Sequence, residues 1–121
     1  MAQEKSGRKI IAQNKHIRRL FEVLETLEAG LVLTGSEIKS IRGGKVSFKD
    51  SHVIFSKGEA YVRGLHIAVY ENAGYAGHDP DRDRKLLLHK REIDVLRGKV
   101  EQKGLAIVPL SMYLKNSKAK L

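Results

Sequence analysis

From Lys45 to Val69 the sequence takes up a period of two. Val46 and Phe48 alternate with Ser47 and Lys49. Val53 and Phe55 resume after Asp50-Ser51-His52, and Leu65, Ile67 and Val69 alternate again after Tyr61. Side chains of an extended strand point to opposite faces in turn, so this pattern buries one face of a sheet and wets the other. Half-wet strands of this kind pair antiparallel through short connections. Ser56-Lys57-Gly58-Glu59 supplies one such hairpin turn. A chain with this stretch at its middle is built on an antiparallel sheet.

The flanks add short helices and more strands. Residues 1–13 carry Lys5, Ser6, Gly7, Arg8 and Lys9 without useful periodicity and read as a flexible basic arm. Asn14 to Phe21 forms a short helical turn with Ile17 and Leu20 inward and Arg18 and Arg19 outward. Phe21 to Glu28 reads as a strand, interrupted at Ala29-Gly30 and resumed by Leu31-Val32-Leu33. The glycine signals a bulge, a bend or close approach of another backbone. Thr34 and Glu37 have capping-box spacing, Ile38 and Ile41 follow three apart, and Gly43-Gly44 ends that helix. Glu71 to Asp79, with Asn72, Gly74, Gly77 and the aromatic Tyr75, reads as a loop. Ile93, Leu96 and Val100 predict an amphipathic helix from Lys90 to Lys103, ended by Gly104. Leu105 to Leu114 is a strand in which Pro109 cannot donate, Lys115 to Lys118 a turn, and Ala119 to Leu121 the opening of another strand. The expectation is a mainly β, α+β domain over residues 14–121: a small OB-like antiparallel β-barrel with associated helices.

Composition narrows the function. The chain has 121 residues, enough for one modest core, and no cysteine, which fits a reducing, cytoplasmic setting. No apolar run reaches membrane-span length, and the first residues lack a signal core. A net charge of +9 favours an acidic partner, nucleic acid ahead of an anionic membrane. The plainer alternative is a basic protein charged for solubility. Cations fall in separated groups: Lys15, Arg18 and Arg19; Arg82, Arg84 and Lys85; Lys99; then Lys115, Lys118 and Lys120. The second group stands between an acidic turn stiffened by Pro80 and the triplet Leu86-Leu87-Leu88, so it reads as the support of a polyanion-binding face. A fold that gathers these groups would make a surface that tracks phosphates. Aromatics are only 6%, too few for a surface that stacks many bases, so a folded RNA read by shape and backbone is favoured.

Catalysis is the weaker class. His78-Asp79 resembles the metal doublet of phosphohydrolases, but His16, His52, His66 and His89 show no ligand spacing, and Asp before Pro is ordinary turn chemistry. Gly43-Gly44-Lys45 lacks phosphate-loop spacing, and nothing places Glu28 and Glu37 together as an acid–base pair. No metal and no cofactor are expected.

Several stretches together resemble the SmpB family, the SsrA-binding proteins. They are Asn14-Lys15, Glu28-Ala29-Gly30, Gly35-Ser36-Glu37-Ile38-Lys39-Ser40, Asp79-Pro80 with Arg82-Asp83-Arg84-Lys85-Leu86-Leu87-Leu88-His89, Gly98-Lys99-Val100 and Tyr113-Leu114-Lys115-Asn116, in the family's order. The resemblance implies an OB-like barrel that binds the tRNA-like part of transfer-messenger RNA and enters stalled ribosomes with it. It implies no enzymatic activity, and contact with alanyl-tRNA synthetase and elongation factor Tu through the RNA. It makes Glu28, Leu87, His89 and Lys120 candidate RNA-interface positions, beside Asn14, Lys15, Arg18, Arg19, Phe21, Arg82, Arg84, Lys85 and Lys99. His89 stands where some members have Asn, and Phe21 where many have Tyr, so a hydroxyl contact is lost there. Family members continue past Leu121 into the rest of a strand and a basic tail, which this chain is expected to lack. The alternative functions are another OB-like ribosomal or tRNA-binding module, or a metal phosphohydrolase using His78 and Asp79.

Overall fold

The computed structural model describes residues 8–69 and 78–121. Most of the loop expected over Glu71–Asp79, with Tyr75, and the first seven residues lie outside them. The elements run β1 (Arg8–Gln13), α1 (Lys15–Leu20), β2 (Gly30–Leu31), α2 (Gly35–Arg42), β3 (Val46–Ser47), β4 (His52–Ser56), β5 (Glu59–Arg63), β6 (His66–Ile67), β7 (Arg84–Leu87), α3 (Lys90–Lys103), β8 (Ser111–Lys115) and β9 (Lys118–Lys120). The ladders are antiparallel, in a seven-stranded sheet of order β1-β8-β9-β2-β7-β5-β4 beside a β3-β6 pair. The protein is thus mainly antiparallel sheet with a few helices, as the alternation requires.

Two hairpins fix the register. Ser56 pairs with Glu59 across Lys57 (φ 52°) and Gly58 (φ 78°), and Lys115 pairs with Lys118 across Asn116 (φ 51°) and Ser117 (φ 67°). Two left-handed residues in a row make the turn whose twist matches that of paired strands. Helix α2 has its full capping box: Thr34 Oγ1 accepts from the Glu37 N–H at 3.3 Å, and Glu37 Oε1 accepts from the Thr34 N–H at 2.8 Å. Helix α3 ends at Gly104, left-handed with φ 67°. The core gathers Ile41, Ala60, Val62, Leu65, Ile67, Leu86, Ile93 and Met112.

Four local expectations are corrected. Residues 8–13 are not an arm: Ile11 and Ala12 pack on the core, and β1 pairs with β8 through a bulge between Ile10 and Ala12. Leu20 does not point inward; it remains exposed at the end of α1, as does Phe21 just after it. Phe21–Glu28 is not a strand, since Leu24 and Leu27 are exposed and the segment has no place in the ladders. The ladder begins at Ala29, which exchanges backbone bonds of 2.9 and 2.8 Å with Leu121. Finally, the last long strand starts only at Ser111, after Pro109. The extended segment before it still bonds twice: Val53 N–H to Ile107 O at 2.8 Å and Asn14 N–H to Leu110 O at 2.7 Å.

Candidate nucleic-acid interface

Directly opposed residues of antiparallel strands share a face. Tyr113 opposes Lys120, Lys120 opposes Gly30, and Gly30 opposes Leu87, so these four make one row across β8, β9, β2 and β7. One step of two along the strands adds Lys115 opposite Arg8 and Lys118, and Lys85 opposite Tyr61. Ala29, Leu31 and Leu86, one residue out of phase, are buried on the other face. The glycine has a spatial role here: a Cβ at Gly30 would stand 3.2 Å from Leu87 Cδ1 and 3.3 Å from its Cβ. Its absence lets Leu87, 55% exposed, lie over the strand.

Glu28 stands two residues before Gly30, among the cations of this face. The Tyr113 hydroxyl donates to Glu28 Oε2, and Lys115 Nζ lies 3.9 Å from Oε1. The Tyr113 bond, chiefly, holds the Glu28 carboxyl below its ordinary pKa against its partial desolvation, with Lys115, Lys120 and Arg8 adding to it. The Arg8 guanidinium carbon lies over the Tyr113 ring, 5.1 Å from its centroid. Glu28, Lys115, Asn116, Lys118 and Lys120 line an open cleft of about 220 Å³. Lys85 extends the cationic face, tempered by Glu59 Oε2 at 2.8 Å, which also raises the lysine's pKa.

The structure therefore brings together Glu28, Leu87, Lys85 and Lys120. It does not bring Arg84 to this face. Arg84 shares its strand face with Leu86 and is fully buried, where Nε donates to Glu37 Oε2 at 2.6 Å and Nη1 to Leu65 O at 2.6 Å. Its Nη2 reaches Pro80 O at 3.0 Å. Arg82 is turned the same way, donating to Glu37 Oε1 at 2.6 Å and Val32 O at 3.2 Å. The basic cluster expected to support an RNA face is instead divided: both arginines are tied to Glu37, Arg84 buried and Arg82 partly exposed, while Lys85 points to the outward face. Asn14 is also structural, buried with Nδ2 donating to Pro109 O at 3.1 Å.

The remaining candidates stand on other elements. Lys15, Arg18 and Arg19 are exposed on α1, at the end of β1 away from Arg8, with the exposed Phe21 after them. Lys99 pairs with Glu25 Oε1 at 2.6 Å. His89 is exposed as the N-cap of α3, its N–H donating to Glu92 Oε1 at 2.9 Å. His78 has both ring nitrogens engaged, Nδ1 with Ser36 Oγ at 2.7 Å and Nε2 with Ile67 O at 2.8 Å. Sequence reasoning missed Tyr113 and Arg8 on this face. The signal for Tyr113 was its place two residues before Lys115 on a strand.

Fold and face together define a small antiparallel-sheet protein that presents lysines round one held carboxylate. The family model described as "SmpB protein" matches residues 11–121. The SsrA-binding protein of Solidesulfovibrio magneticus is 60% identical over 121 residues, covering 100% of this chain and 79% of the relative. That of Oleidesulfovibrio alaskensis is 61% identical over 116 residues, covering 96% and 75%. A solved structure described as "tmRNA-SmpB: a journey to the center of the bacterial ribosome" contains a chain 52% identical to this one, with a TM-score of 0.75, covering 90% of this chain and 77% of the other. The chain belongs to the SmpB family.

Proposed function

We propose that this protein binds the tRNA-like domain of transfer-messenger RNA and carries it to stalled bacterial ribosomes. The observation that carries this reading is the row Tyr113, Lys120, Gly30 and Leu87 with Glu28 beside it, a built outward face on four strands. Relatives with the name SsrA-binding protein, and a neighbour described as tmRNA-SmpB in the ribosome, support the choice of RNA. Lys85, Lys115, Lys118 and Lys120 supply affinity through phosphates; Glu28 and Leu87 meet groups that are not phosphate and set the register. The protein acts by binding rather than by catalysis, in the cytoplasm, and alanyl-tRNA synthetase and elongation factor Tu meet it through the RNA. The cations of α1, with His89 and Lys99, form outlying contacts.

Residues 14–121 are the RNA-binding unit, with β1 bracing its edge. Its sheet curls into an OB-like barrel. The two bonds from the segment before β8, one to Val53 of β4 and one to Asn14 at the end of β1, support that curl.

Competitive gel-shift measurement tests the function. The tRNA-like fragment is expected to displace bulk tRNA and single-stranded DNA; equal competition by bulk tRNA would favour a general tRNA-binding module instead.

A further inference from the structure

We infer that Tyr113 is a positioning residue for RNA recognition: its hydroxyl holds one oxygen of Glu28 and leaves the other to accept a proton donor from the RNA. The inference deepens the function proposed above and rests on it. A carboxylate set among Lys115, Lys118 and Lys120 and free to rotate would fold down onto an ammonium group. It would then cancel one cation and lose its own acceptor. Here a neutral donor takes Oε2 instead. Lys115 Nζ is ion-paired with Oε1 at 3.9 Å, beyond hydrogen-bond length, so that oxygen at the cleft can still accept a hydrogen bond. Glu28 thus keeps both its charge and a fixed orientation.

Tyr113 is suited to this task. It is 8% exposed, so its ring is held within β8. Arg8 covers the ring from β1. Burial first, then the bond to Glu28 and its charge, pushes the phenol above its ordinary pKa against the pull of Arg8, so at neutral pH it remains a donor. What Glu28 Oε1 can accept is an N–H of a base or a ribose 2′-OH; a phosphate offers no proton. The lysines then hold the backbone while the carboxylate discriminates.

Tyr113→Phe removes only the hydroxyl. The test compares binding of the tRNA-like fragment and of bulk tRNA by wild type, Tyr113→Phe, Glu28→Ala and the double variant. Expected is a loss of about fivefold in preference for the fragment on Tyr113→Phe, the scale of one net hydrogen bond. Affinity for bulk tRNA falls by less than affinity for the fragment, and Glu28→Ala leaves nothing further for Tyr113→Phe to remove. In the free protein, the Glu28 carboxyl titration followed by carbon-13 NMR moves upward in Tyr113→Phe. An unmoved titration, equal losses on both RNAs, or additive losses in the double variant would overturn the inference alone. A wild-type protein with no preference for the fragment overturns the functional reading first, and this inference with it.

Discussion

Arg84 Nε meets Glu37 Oε2 at 2.6 Å, with both side chains at zero solvent exposure. A buried pair of charges is sustained only when the remaining donors and acceptors are also matched. Here they are: the Glu37 carboxylate also takes Arg82 and the Thr34 N–H, and the Arg84 guanidinium also takes the carbonyls of Leu65, Arg82 and Pro80. The network ties the start of α2 to β7 and to the turn that precedes it.

Removing one partner strands the other. Glu37→Ala and Arg84→Ala are each expected to cost about 3–5 kcal/mol, measured by urea denaturation. Where Arg84→Ala remains folded, the salt slope of RNA binding should match that of wild type, because this cation meets no phosphate.

Acid should act through the same carboxylate. Burial pushes Glu37 up, but bonds from Arg82, Thr34 and Arg84 outweigh it and hold its pKa at about 2, against an ordinary 4.5. Between those values the unfolded chain takes up a proton that the native state refuses. The contribution is therefore complete above about pH 4.5 and is lost as pH falls toward 2, roughly 3 kcal/mol in all. Stability measured across this window should fall less steeply in Glu37→Gln than in wild type.

On the outward face, Lys120→Ala should weaken binding to every RNA and lower the salt slope by about one. Lys118→Ala should do the same, since it lines the same cleft. An unchanged slope in gel shifts over a salt series would remove that lysine from the interface.

Gly30→Ala should cost about 1 kcal/mol, because the new methyl meets Leu87. Leu87→Ala in the same chain should reduce that cost, since Cδ1 is removed while the Cβ contact stays; thermal melts of the single and double variants check it.

Ser40 and Ser51 each bury a hydroxyl with no hydrogen-bond partner among the described residues. Ser51→Ala is expected to leave stability unchanged or raise it by up to about 1 kcal/mol, since an unmatched buried donor is removed. A thermal melt decides the sign.

Much of this was legible in the letters. Helix α3 falls on the residues its periodicity assigns, Lys90–Lys103, and the Thr34–Glu37 capping box forms as spaced. Local rules sufficed there because the signals lie within a turn or two of what they determine. Arg84 was misread for the opposite reason. Arg82, Arg84 and Lys85 are neighbours in sequence, but the strand sends Arg84 inward with Leu86 and Lys85 outward with Leu87. Phe21–Glu28 shows apolar letters in near alternation, yet a strand needs a partner edge, and only from Ala29 onward does one exist. Grouping of Glu28, Leu87 and Lys120 depends on register among β9, β2 and β7, which no window of sequence contains.

The stretch between α3 and β8 holds Val53 by Ile107 and Asn14 by Leu110. It works as a crosspiece: the early strand cannot peel away without also loosening a hairpin from mid-chain. Amide protons on both sides of it should therefore exchange together, as one cooperative block rather than as a fraying edge.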